Sequence, residues 1–339
     1  MNEQTYRRGR TGELVRPFAT SAGVECRGYS LGLQRSLVDF GAEESFDQAA
    51  ERVREHYGIE VSESAIRRYS EEHGSAMLAE QEAQEAQLEA GGAGQMIGEM
   101  DGSLIPIVTT SQAADQRQTR KVSWIEARLA LAYAQGSRSP CFAATLRDVA
   151  AAGEGLAICL ARAGGGEQSR LHCVGDGAKW IVDQVEARFG ERAEYLIDFY
   201  HVSEYLARAA VAIAGAEAER WRREQQEDLR ENRALRVLGA LKPHLEAAEV
   251  ADEEAPVRSC YRYLINRLDQ LNYKGALERG LPIGSGEIES AHRYVVQKRL
   301  KLSGAWWKEE NAACMLALRV TRANGDWQSY WERLRQEAA

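Results

Sequence analysis

The chain has 339 residues, of which 44% are hydrophobic and 28% are charged, and its formal net charge is −8. This composition is typical of a folded globular protein, and the length predicts two or three structural units. No run approaches the roughly 18 apolar residues of a membrane span, and the N-terminal segment lacks a secretory signal, so we expect a cytoplasmic protein with no membrane partner. Six cysteines, from Cys26 to Cys314, are scattered without a CxxC pair, which excludes a cysteine-based zinc module and indicates a reducing compartment.

Residues 44–74 carry two helical patterns joined by a short turn. The first has apolar residues at helical spacing, and Ser62 or Ser64 is placed to cap the second. Two helices in this order, with Arg67 and Arg68 exposed on the second, have the form of a DNA-reading helix-turn-helix. A plain helical hairpin is the alternative, and the pattern alone favours it because the segment is acidic.

A helical segment over residues 75–90 leads into a region where strands and helices alternate. In chain order the patterns predict strands at 95–108, 121–135 and 140–149, a helix at 154–164, a strand at 170–178, a helix at 179–190 and a strand at 193–202. The order β-β-β-α-β-α-β predicts an α/β fold with a mixed sheet, antiparallel at one side and parallel at the other. From Ser203 to about Lys274 every pattern is helical, and a final helical segment follows residue 281.

Two aspartates occupy unusual places in this pattern. Asp101 lies within the first strand, where Asp is disfavoured, and Asp176 follows the fourth strand, at the edge of an α/β sheet where binding sites form. Taken singly, Asp101 has a hairpin turn as its alternative explanation and Asp176 has a helix N-cap. Together they predict a ribonuclease-H-like sheet, in which the first and fourth strands are neighbours and the two carboxylates form a hard-oxygen site for Mg²⁺ or Mn²⁺.

A third carboxylate is expected from a helix that follows the last strand. The stretch GSGEIES at residues 284–290 offers Glu287 and Glu289 at the start of such a helix. On a helical wheel of about 100° per residue, Glu289 lies near Val296 and Leu300 and so faces the more enclosed side, which favours it over Glu287. Three carboxylates that repel one another form a stable site chiefly when divalent cations neutralise them.

Four motifs carry a resemblance to a known family: GEMDGS around Asp101, VGDGAKW around Asp176, DFYHVSEYL from Asp198, and LPIGSGEIESAHRYVVQKRLK followed by two tryptophans. From the first strand onward the chain resembles bacterial insertion-sequence transposases of the DDE type, most closely the ISKra family of the Mutator-like group. The resemblance implies that Asp101, Asp176 and Glu289 are the catalytic acids and that the helical block is an insertion before the third of them. It also implies that His201, in a Cys/Asp-x-x-His signature beginning at Asp198, supports the active site.

The activity that this resemblance implies is DNA transposition by phosphoryl transfer. Two ions, Mg²⁺ or Mn²⁺, held by the three acids would activate water to cut the element end, and the freed 3′-hydroxyl would attack target DNA. The implied partners are double-stranded DNA, at the transposon ends and at the target, bound by a homodimer or higher oligomer at the nucleoid. Two alternatives stay open: a ribonuclease-H-fold nuclease without strand transfer, and a non-catalytic DNA-binding regulator derived from a transposase.

The charge distribution indicates which residues would contact DNA. Residues 1–90 carry 10 Arg, no Lys and 17 acidic residues, whereas residues 290–339 carry 9 basic and 5 acidic residues, and phosphate contacts require Lys and Arg. The expected contacts, with the tryptophan stacking on an unpaired base, are Arg67, Arg68, Arg293, Lys298, Arg299, Lys301 and Trp306. The alternatives are a solvated helix face for the basic residues and a core position for at least one of Trp306 and Trp307.

These observations divide the chain into four segments. Residues 1–90 are expected to form an N-terminal helical, DNA-binding domain, and residues 91–202 the first part of the ribonuclease-H-like catalytic core. Residues 203–280 are expected to form the all-helical insertion, and residues 281–339 to complete the core with the third acid and the basic helix.

Overall fold

A computed structural model describes residues 6–7, 12, 14–21, 28–112 and 115–337. The chain divides into two compact units: a terminal unit of Met1–Gln84, Ser103–Ala127 and Ala291–Ala339, and a central unit of Glu85–Gly102 and Arg128–Ser290. Cys26 lies outside the described residues, and the five described cysteines are free thiols. The described helices are all too short or too polar to span a lipid bilayer.

The described residues are mainly helical, with seven strands. The strands are β1 (Tyr6–Arg7), β2 (Leu14–Val15), β3 (Ala93–Thr109), β4 (Lys121–Ala134), β5 (Cys141–Thr145), β6 (Gly165–Gly175) and β7 (Ala193–Ile197). The α-helices are α1 (Pro17–Ser21), α2 (Leu31–Glu43), α3 (Phe46–Tyr57), α4 (Glu63–Glu82), α5 (Val149–Arg162), α6 (Lys179–Phe189), α7 (Phe199–Ala214), α8 (Ala218–Arg230), α9 (Ala234–Leu241), α10 (Pro256–Ile265), α11 (Tyr273–Glu278), α12 (Gly286–Ala291), α13 (Lys298–Leu300), α14 (Glu309–Ala323) and α15 (Trp327–Glu337). A π-helical segment, His292–Gln297, separates α12 from α13.

In the terminal unit, α3 and α4 correspond to the two helices predicted around the N-terminal turn. α3 ends at Gly58, whose left-handed conformation (φ 65°) lets the chain turn, and Ser62 caps α4 by accepting a hydrogen bond from the Ala65 amide. The connecting helix predicted over residues 75–90 is confirmed over residues 75–82 only, and it is not a new helix, because α4 continues through Gly74 to Glu82. Gly74 lets α14 approach closely, since a Cβ atom there would lie 2.7 Å from a backbone oxygen of that helix.

The five-stranded sheet has the order β5-β4-β3-β6-β7. β3 pairs with β6 and β6 with β7 in parallel, whereas β4 and β5 are antiparallel. The predicted α/β fold with a mixed sheet is therefore confirmed. Residues 103–109 of β3 and 121–127 of β4 belong to the terminal unit, and the rest of the sheet belongs to the central unit.

Several predicted boundaries in the central unit are wrong: β6, for example, begins at Gly165 rather than at residue 170, and β5 ends at Thr145 rather than at residue 149. A capping aspartate explains two others. α5 begins earlier than predicted, at Val149, because the Asp148 side chain accepts a hydrogen bond in its first turn. β7 ends at Ile197, because Asp198 caps α7 and turns the chain into a helix. The aromatic and β-branched run at residues 199–202, which locally favours a strand, is therefore helical.

Apolar side chains cover both faces of the sheet within the central unit. One face, with Ile97 of β3 and Val174 of β6, packs against α7, α10 and α11. The other face, with Met96 and Leu171, packs against α5 and α6. The block from α7 to α11 is helical throughout, as predicted, although it begins before Ser203.

Candidate active site

Asp101, within β3, and Asp176, just after β6, lie side by side on neighbouring parallel strands. The register of these strands pairs Glu99 with Val174, and continuing it by two residues places Asp101 level with Asp176. Both aspartates are half-buried. Each carboxylate accepts a hydrogen bond from a backbone amide close by in sequence, at 2.7 Å for Asp101 and 2.8 Å for Asp176.

The alternative explanations for the two aspartates are excluded. β3 continues past Asp101 to Thr109, so Asp101 does not lie in a hairpin turn. α6 begins at Lys179 with Ala178 in the N-cap position, so Asp176 is not the cap of that helix. Both residues therefore occupy the strand-associated positions that the sequence predicted.

Glu99 is a buried carboxyl that the sequence analysis missed. It is 1% exposed, it precedes Asp101 by two residues, and side-chain alternation places both on the sheet face covered by α7, α10 and α11. Its Oε2 atom accepts a hydrogen bond of 2.8 Å from the Ile288 amide. Burial, and then the negative charges of Glu287, Asp198 and Glu289, raise the pKa of Glu99 to about 8.

Asp198 is a second buried acid, 3% exposed, and it binds two segments at once. Its Oδ1 atom accepts hydrogen bonds from the amides of Tyr200 (2.6 Å) and His201 (3.1 Å), which caps α7. Its Oδ2 atom accepts from the amide (2.7 Å) and the hydroxyl (2.5 Å) of Ser285. Glu99 and Asp198, which we call the carboxyl clamp, therefore hold the start of α12 against the sheet.

Glu287 and Glu289 lie in the first turn of α12, on either side of Ile288. Both are exposed, whereas Ile288 is buried. The helical-wheel prediction that Glu289 faces the more enclosed side is therefore wrong. It assumed one regular α-helix, but the π-helical segment at residues 292–297 changes the helical phase before the reference residues are reached.

The charge of Glu287 acts on two groups of the sheet. After burial and the Ile288 hydrogen bond, it has the largest effect on the pKa of Glu99, and it also contributes, after burial and Glu99, to the raised pKa of Tyr133 on β4. Glu289 acts on Glu99 more weakly. The choice of Glu289 as third acid therefore still rests on the family resemblance.

His201 lies in the first turn of α7 and is half-buried. Its ring makes edge contacts with Tyr205 and Tyr263, at centroid distances of 5.5 and 5.8 Å. The backbone amide of His201, and not its ring, is bonded to Asp198. The structure therefore places His201 in an aromatic cluster beside the carboxyl clamp.

The chemistry of the acids at this end of the sheet fits a hard divalent cation. Carboxylate oxygens are the ligands that Mg²⁺ prefers, and the raised pKa of Glu99 reflects, besides burial, neighbouring negative charge that a cation would offset. Within the described residues, no three His, Cys, Asp or Glu side chains are gathered as a metal-binding group. Asp101 and Asp176 are neighbours by strand register, and neither glutamate completes a cluster with them.

The residues expected to contact DNA all lie in the terminal unit. Arg67 and Arg68 are exposed on α4, where Arg67 is 3.9 Å from Glu71. Arg293 and Lys301 are exposed. Lys298 is also exposed, and its ammonium pairs with Glu43 of α2 at 2.5 Å, so contact with a phosphate would compete with this ion pair.

Arg299 differs from the other basic residues because it is only 2% exposed. Its guanidinium lies 4.7 Å from the ring centroids of both Phe46 and Trp307, and it donates a hydrogen bond of 2.9 Å to the Gly41 carbonyl. The expected phosphate contact of Arg299 is therefore incompatible with its position in this structure. Trp307 is buried and Trp306 is 54% exposed, which confirms that one of the two tryptophans is a core residue.

Comparison with known proteins gives one result for the region that contains most of these residues. The sequence model of a family described as "Uncharacterised protein family (UPF0236)" matches residues 165–336, which include Asp176, Asp198 and both candidate glutamates. A search of curated proteins finds no match to the chain. Because the matched region covers just over half of its residues, the chain belongs to the uncharacterised protein family UPF0236.

Proposed function

We propose that the protein is a DNA transposase of the DDE type, related to the ISKra family, which acts on nucleoid DNA in the cytoplasm. The observation that carries the proposal is the pair Asp101 and Asp176 on adjacent parallel strands, beside a helix start that presents two further carboxylates. The strand order, with three parallel strands beside an antiparallel pair, supports a ribonuclease-H-like fold.

In this proposal Asp101, Asp176 and Glu289 hold two Mg²⁺ or Mn²⁺ ions. When bound, such ions activate water and stabilise the oxygen that leaves a cleaved phosphodiester. The protein's own contribution is to fix its oxygen ligands: strand pairing sets the two aspartates, and the carboxyl clamp sets the start of α12. Exposed Arg293, Lys298 and Lys301 contact phosphates of the transposon ends and the target, on which the protein acts as a dimer or higher oligomer.

The proposal is tested with a plasmid that carries the DNA flanking the coding region, incubated with the protein and Mg²⁺. We expect both cut ends and products in which a freed 3′ end is joined to new DNA. Cuts without joining would identify a nuclease, and binding without cuts would identify a regulator.

Substitutions of the acids sharpen this test. Asp101→Asn, Asp176→Asn and Glu289→Gln should each abolish cutting while DNA binding is retained, because each removes a ligand charge and keeps the side-chain size. Glu186→Gln, an exposed acid on α6 of the same unit, is the matched control and should cut normally. Loss of activity in Glu287→Gln, with activity kept in Glu289→Gln, would transfer the third role to Glu287.

A further inference from the structure

The turn that carries Asp176 is bound by the helical block from outside the sheet. The hydroxyl of Tyr263, on α10, donates a hydrogen bond of 2.6 Å to the backbone carbonyl of Asp176. The guanidinium of Arg267, two residues after α10, donates at 3.2 Å to the carbonyl of Gly177. Two consecutive carbonyls beside the candidate ligand are therefore bound by side chains that lie about 90 residues further along the chain.

The turn has little freedom to move away from these partners. Gly177 has φ +81°, a backbone conformation that residues other than glycine rarely adopt. A Cβ atom at this position would lie 2.9 Å from Arg267 and 3.1 Å from Tyr263. The Gly177 amide donates to the hydroxyl of Tyr195 on β7 at 3.1 Å, so the backbone of the turn is held from the sheet as well.

Tyr263 and Arg267 are themselves fixed by a stack of side chains between α7 and α10. The Arg267 guanidinium lies 4.3 Å from the centroid of the Tyr263 ring. That ring stacks on Tyr205 at 4.3 Å, with 15° between the ring planes, and Arg208 lies 4.7 Å from the Tyr205 ring on α7. This stack, in the order Arg267, Tyr263, Tyr205 and Arg208, holds the Tyr263 hydroxyl and the Arg267 guanidinium in position to donate to the turn.

We propose that Tyr263 and Arg267 are positioning residues for the Asp176 carboxylate, through which the helical block sets the geometry of the active site. The inference rests on the proposed role of Asp176 as a metal ligand. Groups that orient a ligand without touching the metal typically change metal affinity by about 10- to 100-fold when they are removed. Tyr263→Phe frees the Asp176 carbonyl, and Arg267→Met frees the Gly177 carbonyl, so each lets the turn rotate.

The test compares the wild type with Tyr263→Phe, Arg267→Met, Arg267→Lys and Tyr205→Phe in the full chain. The readouts are Mn²⁺ binding without DNA, followed by the electron paramagnetic resonance of free Mn²⁺, and the Mn²⁺ concentration that gives half-maximal plasmid cutting. We expect Tyr263→Phe and Arg267→Met to weaken Mn²⁺ binding and raise that concentration about tenfold. Arg267→Lys should recover part of the loss because it keeps a donor. Tyr205→Phe, which removes a hydroxyl from the stacked ring and leaves both bonds to the turn, should stay within about twofold.

Three controls separate positioning from general damage. DNA affinity in EDTA should be unchanged in all variants, and circular dichroism should show the wild-type fold. Hydrogen exchange of the Gly177 and Ala178 backbone amides should be faster in Tyr263→Phe than in the wild type, whereas Tyr205→Phe should leave it unchanged. If Tyr263→Phe does not fold, the comparison of Arg267→Met with Arg267→Lys tests the proposal.

The failure of this inference differs from the failure of the proposed function. A wild-type protein that binds Mn²⁺ and cuts DNA, with unchanged Mn²⁺ dependence in Tyr263→Phe and Arg267→Met, would overturn the inference alone. A wild-type protein that neither binds Mn²⁺ nor cuts DNA would overturn both.

Discussion

The hydrogen bonds between Asp198 and Ser285 should couple the end of β7 to the start of α12 in a measurable way. Asp198→Asn keeps an oxygen to cap α7 but presents an amide group to the Ser285 amide, so that two donors face each other. Ser285→Ala removes only the bond from the hydroxyl, which is 2.5 Å from Oδ2. Because a hydrogen bond to a charged group contributes about 1.5–3 kcal/mol, against about 1 kcal/mol for a neutral pair, we expect Asp198→Asn to cost about 2–3 kcal/mol.

The quantity that tests this reasoning is the coupling energy of the two substitutions. Ser285→Ala should cost about 1.5–3 kcal/mol in the wild type and about 1 kcal/mol when Asn is already present, so the coupling should be about 0.5–2 kcal/mol. Urea unfolding of the wild type, both single variants and the double variant gives this number.

A second pair of substitutions, at residues that do not contact each other, controls for an indirect effect of Asp198→Asn on stability. Ser169 is also buried, and its hydroxyl donates to the Ala93 carbonyl near the other end of β3. Ser169→Ala combined with Asp198→Asn should therefore be additive within about 0.5 kcal/mol. Additivity of the same quality between Asp198→Asn and Ser285→Ala would refute the carboxyl clamp.

Three further predictions concern the terminal unit. Burial lowers the pKa of His73 from 6.5 to about 4, so below pH 6.5 the unfolded chain takes up a proton before the folded one, and up to about 3 kcal/mol of stability is lost by pH 4. Urea unfolding at pH 7 and pH 4.5 should show a smaller loss of stability in His73→Gln than in the wild type, and equal losses would contradict this role of His73. Arg299→Ala should cost about 2–4 kcal/mol in thermal unfolding, because it removes two ring contacts and a buried hydrogen bond, whereas the exposed Arg293→Ala should cost no more than about 0.5 kcal/mol. Lys298→Ala with Lys301→Ala should weaken binding to duplex DNA of any sequence and reduce the magnitude of the slope of log K against log salt by up to about 0.9 per lost contact, and an unchanged slope would count against these contacts. Arg67→Ala with Arg68→Ala should reduce the preference for transposon ends over random DNA, and unchanged discrimination would count against that role. Fluorescence anisotropy titrations at several salt concentrations measure both.

The positions of Asp101 and Asp176 could be predicted because they depend on local pattern and strand order. Alternating apolar residues located both strands, and the order of elements indicated that these strands are neighbours. Glu99 lies in the same strand, but its partner, the Ile288 amide, is 189 residues away and leaves no trace in local sequence.

The errors have the same physical origin. Residues 199–202 favour a strand by composition, and only the cap supplied by Asp198 makes them helical. Arg299 was expected to contact DNA with the other basic residues after Glu289, but it is buried against Phe46, which the chain supplies from a distant segment. Local propensity and charge cannot reveal burial that arises from tertiary contacts.

The 189-residue separation between the partners in the Glu99–Ile288 bond also sets an order of events during translation. At about 5–20 residues per second, Ile288 leaves the ribosome roughly 10–40 s after Glu99. Once Asp176 has emerged, 77 residues after Glu99, and until Glu287 emerges, the nascent chain outside the ribosome presents Asp101 and Asp176 but neither Glu287 nor Glu289. A prematurely terminated product that stops short of α12 therefore lacks half of these acids, so the full acid set exists only once synthesis has passed Glu289.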